Sequence, residues 1–192
     1  MPAVPSKIRS PARALLALLF SLFLLFPITA DDAADQQAAL DRLFAQLHDA
    51  TDAPSANAIS NQIWAIWTTP ADPSLASRMR DVMEARAMLD LQTGIDLLDA
   101  IIVDYPEYAE GWNQRATLYY MLGDYEASIA DCAKVLELEP RHYGALSGRA
   151  LMYLQMGKRS LALRDMKAAL ELHPFLAEKQ LFPELAQEIT RT

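Results

Sequence analysis

The sequence predicts an all-α solenoid of stacked helical hairpins, on three observations. A pattern of about 34 residues is written twice, once from Ala109 to Pro140 and again from Tyr143 to Pro174, and a period of that length marks a stacked repeat. Apolar residues inside each copy recur at helical spacing rather than in alternation. Glycine and proline punctuate both copies at the same places, Gly123 with Gly157 and Pro140 with Pro174.

In the first copy Trp112, Ala116 and Tyr119 mark one helix. After Gly123-Asp124, the residues Ile129, Cys132, Val135, Leu136 and Leu138 mark a second. The glycines stand where the first helix must stop, because a left-handed backbone conformation is least costly for glycine. The prolines end the second helix, since proline lacks the amide donor and disfavours helical geometry in the residue before it. Ala116 and Ala150 on the first helix, with Ser128 and Ala162 on the second, are small enough for close approach. Arg115 and Asp131 lie equally far before and after Gly123, as Arg149 and Asp165 do around Gly157, so an antiparallel hairpin brings each pair level. An ion pair that fixes hairpin register is the expected role.

These residues resemble the tetratricopeptide repeat family, whose pattern has Trp, Leu or Arg, small, Tyr, Gly, small, aromatic, small and Pro at similar offsets. Trp112, Arg115, Ala116, Tyr119, Gly123, Tyr125, Ala127 and Pro140 match it in one unit. Arg149, Ala150, Tyr153, Gly157, Ala162 and Pro174 match it in the next. One period earlier, Val82, Ala85, Gly94, Ile95, Leu98, Ile101, Ile102 and Pro106 fill the corresponding places of a degenerate unit that lacks the turn glycine. The resemblance implies a superhelix of three repeats, 75–108, 109–142 and 143–174.

Around the repeats the chain divides further. In residues 1–30, Lys7, Arg9 and Arg13 precede an apolar run from Ala14 to Phe26, and Asp31-Asp32 follows Ala30. That order predicts a signal peptide cleaved near Ala30, hence a secreted or periplasmic product. A retained signal anchor is the competing reading, although the run is shorter than the roughly 20 residues that span a bilayer. Residues 31–74 predict an N-terminal helical hairpin and linker. Leu40, Leu43, Phe44 and Leu47 form one stripe, and Ile59, Ile63, Trp64, Ile66 and Trp67 another, which together would cap the N-terminal end of the stack. Residues 175–192, with Phe175, Leu176, Leu181, Phe182, Leu185 and Ile189, predict a C-terminal capping helix started or kinked by Pro183.

The full chain carries a net charge of −8, and loss of the three basic residues of 1–30 leaves 14 basic against 25 acidic residues. This balance argues against nucleic acid and anionic membrane as partners, and no integral membrane association is expected after cleavage. The single cysteine, Cys132, has no internal disulfide partner and falls on a core position. The histidines His48, His142 and His173 lie far apart, without the spacing of a zinc site, and His142 and His173 are expected at solvent-exposed turns. No nucleophile elbow, phosphate-binding loop or dinucleotide fingerprint is present, so neither cofactor, metal nor catalysis is expected.

The resemblance further implies a concave groove lined by the first helix of each hairpin. Carried over by position, the groove comprises Met79, Arg80, Met83 and Arg86 from the degenerate unit. The middle unit adds Glu110, Asn113, Gln114, Thr117, Tyr120 and Met121, and the last adds Ser147, Leu151, Leu154 and Gln155. Apolar area interleaved with amides and hydroxyls suits a peptide or protein partner. Gly144, Ser147 and Gly148 do not supply the cations with which some family members clamp an acidic chaperone tail. The expected role is a non-enzymatic scaffold. A homo-oligomer self-associating through the Trp64–Trp67 hairpin or the C-terminal helix is the alternative.

Overall fold

The structure is a computed structural model that describes residues 30–185. The expected signal peptide and Ile189 lie outside the described residues, apart from Ala30. Among the described residues the architecture is entirely helical: α1 (Ala30–His48), α2 (Ala53–Thr68), α3 (Pro73–Ala87), α4 (Leu91–Asp104), α5 (Ala109–Leu122), α6 (Tyr125–Leu138), α7 (Tyr143–Gln155), α8 (Arg159–Leu172) and a short 3-10 helix, Ala177–Leu181. Helices α3/α4, α5/α6 and α7/α8 pair as hairpins, and each hairpin packs on the next through α4 with α5 and α6 with α7.

The repeat in the sequence becomes a repeat in backbone geometry. At the corners that close the units, Tyr105, Glu139 and His173 adopt φ of −131°, −133° and −136°. Each donates its amide to the carbonyl four residues back, at 2.7, 2.8 and 2.8 Å. Pro106, Pro140 and Pro174 follow at equivalent turns. At the opposite ends, Leu89, Gly123 and Gly157 take positive φ of 59°, 79° and 71°. The amides of Asp90, Asp124 and Lys158 then reach back to Ala85, Tyr119 and Tyr153, closing the carbonyls that a helix end leaves open. The degenerate unit thus builds the same turn with leucine where glycine is favoured.

Inside the hairpins the expected ion pairs form. Arg115 grips Asp131 with Nε and Nη2, both at 2.8 Å, and reaches Asp99 with Nη1 at 2.6 Å. Arg149 Nε donates to Asp165 at 2.5 Å. Ser128 Oγ donates to the Ala116 carbonyl at 2.6 Å, so small residues at the hairpin crossing bring the helices within hydrogen-bonding reach. Cys132 is buried beside Ala116, Val135 and Met152.

The N-terminal hairpin covers apolar surface of the stack, but elsewhere than expected. Helix α2 shares little surface with α3, its neighbour in the chain, while α1 reaches across to α8. The apolar face of α1–α2 lies over the corners of the repeats, where Leu40, Phe44, Leu47, Ile63 and Trp67 enclose Tyr143 and meet Leu172, Phe175 and Leu176. At the other end of the chain, Phe182 and Leu185 are buried against α7 and α8, so the segment after the 3-10 helix covers the last hairpin.

Candidate functional site: the groove between α2, α5 and α7

Every third-of-a-stack corner offers one side chain to the docked hairpin, at positions one repeat apart. Tyr108 donates its hydroxyl to the Trp67 carbonyl at 2.8 Å. His142 stacks on the Trp67 indole, 4.2 Å between centroids and 9° from parallel. Leu176 packs in the same cluster. Burial, with the nearby Glu110 charge, pushes the Tyr108 hydroxyl well above its ordinary range. Tyr143 shares a 2.7 Å hydrogen bond with Ser60 of α2, and burial pushes its hydroxyl up to about 12. His142 and His173, expected at the surface, are 0% and 3% exposed: Trp64 and Trp67 of the hairpin lie on His142, and Tyr143 packs edge-on against His173.

A polar chain runs beneath these rings. His142 Nδ1 accepts the Ala145 amide at 3.1 Å and so caps α7. A nitrogen that accepts carries no proton, so the proton sits on Nε2, which donates to Glu110 at 3.1 Å. The Glu110 carboxylate also receives Asn113 Nδ2 at 3.1 Å and Gln114 Nε2 at 2.5 Å. Arg86 Nη1 donates to Gln114 Oε1 at 3.0 Å and completes the chain. Glu110 is 2% exposed, yet each of its oxygens is hydrogen-bonded, which is the condition for burying a carboxylate at tolerable cost.

The structure sorts the expected groove residues into three groups. Met79 is a correction: it is 2% exposed and packs in the core with Leu75 and Val82. Asn113 and Ser147, at the same position in the following units, are also buried, and Gln114 is spent between Arg86 and Glu110. Thr117 and Leu151 are half-buried and line open space, whereas Leu154 leans into the core of the last hairpin. Arg80, Met83, Tyr120, Met121 and Gln155 are exposed. Gln155 donates to the Tyr120 hydroxyl and accepts from Tyr125, which stacks on Tyr120.

The hairpin therefore covers the corners and leaves a cleft of about 630 Å³ beside them. Asn57 and Trp64 of α2 form one wall, Asn113, Thr117 and Leu151 the floor, and the 175–180 segment the far side. Trp64 fits because α7 carries Gly144, where a Cβ would stand 2.7 Å from Trp64 Cζ2. The participation of α2 has no signal in the repeat pattern, although its two tryptophans were visible as a stripe. Among the described residues no cluster of His, Cys, Asp or Glu is arranged to hold a metal, and no helix is long and apolar enough to cross a membrane.

Residues 109–142 match the family described as Tetratricopeptide repeat. A TPR repeat-containing protein of Rhizobium etli is 36% identical over 135 residues, which are 70% of this chain and 66% of that relative's length. Among solved structures, the first TPR of Spaghetti (RPAP3) bound to the HSP90 peptide SRMEEVD superposes with a TM-score of 0.55 and 19% identity. That match covers 60% of this chain and 93% of the other, a likeness of fold.

Proposed function

We propose, from the premise that this chain is built on the tetratricopeptide repeat, that it is a non-enzymatic interaction module holding an extended segment of a protein partner in the cleft beside α2. The carrying observation is the cleft itself: about 630 Å³ of open space along α5 and α7, with amide, hydroxyl and aliphatic side chains on one surface. Such a lining suits a backbone held by hydrogen bonds and side chains held by apolar contact. The Spaghetti repeat supports peptide capture as a use of this fold, since it is seen with a peptide. An acidic peptide of that kind suits this cleft poorly. Arg86 is committed to Gln114, and Lys179, the lining cation, donates to the Pro174 carbonyl.

Export belongs to the same reading. Its support is the order of charges and apolar residues in 1–30, which is that of a signal peptide and agrees with a secreted or periplasmic module. Self-association through Trp64 and Trp67 is the weaker reading, because the hairpin spends both rings on His142 and Tyr143 of its own chain. Cross-linking capture from the native source, comparing the intact chain with Asn113→Ala/Tyr120→Ala/Leu151→Ala, tests the groove. The variant is expected to lose its partner; equal recovery would remove the cleft from consideration.

A further inference from the structure

We infer that a pit opening from the cleft between α5 and α7 is a subsite for one aliphatic side chain, of valine to leucine size, on an extended peptide; the inference rests on the cleft being a peptide groove. The pit encloses about 100 Å³ and shares Asn113, Thr117, Gly144, Gly148 and Leu151 with the cleft, so the two are continuous. Its deeper lining is Ala116, Ser128, Cys132 and Met152, each at most 3% exposed.

That lining asks nothing polar of an occupant. Ser128 already donates its hydroxyl to the Ala116 carbonyl. The Cys132 thiol is pushed up to about 12 by burial and stays an uncharged, weakly polar surface. Size narrows the choice further. The pit holds on the order of three waters and falls below the ~150 Å³ cavity that accepts a benzene ring, so a branched aliphatic group fills it whereas an aromatic ring would stand partly out of its mouth.

Two observations beyond the space itself point to a ligand. Asn113 is 7% exposed and its Nδ2 is committed to the Glu110 carboxylate, which can only accept. Its Oδ1 is thereby fixed as an acceptor, meets no donor among the described residues, and belongs to a side chain that lines both pit and cleft. A peptide amide beside the inserted side chain supplies that donor. Gly148 stands inside α7, where glycine weakens a helix, yet a Cβ there would meet nothing within 4 Å. Packing does not demand that glycine, and the lack of a side chain there leaves the pit open.

Selection of a randomised linear peptide library on the intact chain tests this, followed by affinities of a selected peptide for wild type, Gly148→Ala and Gly148→Leu. Selected peptides are expected to share one Val, Ile or Leu position. Its replacement by Gly is expected to cost roughly ten- to hundredfold on wild type and about twofold or less on Gly148→Leu, with Gly148→Ala between. Replacement by Phe is expected to weaken wild-type binding too. Thermal melts confirm that both variants fold, and Gly148→Ala carries the comparison if the leucine does not. Selected peptides without such a position, or equal losses on all three proteins, would overturn the subsite and leave the groove standing. Enrichment of no peptide would overturn both.

Discussion

Two glycines one helical turn apart on α7 carry opposite expectations. Gly144→Ala brings a Cβ to 2.7 Å from the Trp64 ring, so it is expected to destabilise the chain and perturb the tryptophan near-UV signal. Gly148→Ala adds a methyl group in open space and is expected to stabilise by about 0.5–1 kcal/mol in urea unfolding. Leu89 is the converse, a side chain 70% exposed on a left-handed backbone. Leu89→Gly loses little packing and relieves the strain, for an expected gain of about 1 kcal/mol. His173 titrates below its ordinary value, chiefly through burial, so the unfolded chain takes up its proton first. Its contribution to stability is present above pH ~6.5 and is lost as pH falls through the lowered folded value. A His173→Gln chain is expected to show a flatter loss of stability between pH 7 and 5. The turn glycines were legible because their chemistry is local. The burial of His142 was not, because the Trp64 and Trp67 rings that cover it come from a helix about 75 residues earlier in the chain, and His173 is buried against Tyr143, a ring at the start of α7.

At the scale of the hairpin, register depends on a charge pair. The guanidinium of Arg115 meets both oxygens of Asp131, a side chain 6% exposed, and Asp131 is costly to leave alone. Arg115→Met is expected to cost about 3 kcal/mol, and much of that is expected to return in Arg115→Met/Asp131→Leu, because the penalty lies in the abandoned carboxylate. Urea melts of both variants check this, and equal losses would count against register by ion pair. The pair was legible because an antiparallel hairpin converts equal offsets from a turn into adjacency. The groove was legible only in part. Met79, Asn113 and Ser147 occupy one position in three successive units and are all buried, but only Met79 joins an apolar stripe with Leu75 and Val82. A positional rule taken from a family reports which face a residue occupies. Whether that face is open depends on what packs over it.

Across the whole molecule, the α1–α2 hairpin ties the start of the solenoid to its end. It joins α3 through Thr69–Asp72 and is held on the corners by Trp67, Tyr108, His142 and Tyr143, with Arg141 and Asp41 paired at 2.7 Å on the outside. Trp67→Ala is expected to raise amide hydrogen exchange throughout α1 and α2 together while α5–α8 keep their protection, which would identify the hairpin as a separate cooperative unit. Exchange that rises equally in all helices would instead show one cooperative body. The repeat period, the helical stripes and the glycine and proline turns follow from residues close in sequence, so the chain alone determined the hairpins, their ion pairs and their stacking. Where the N-terminal hairpin rests, which concave residues it covers, and that a pit opens between Gly148 and Cys132 were decided only in three dimensions. Those features depend on the superhelix bringing equivalent corners into line, and that alignment is a sum over helix crossings that no single stretch encodes.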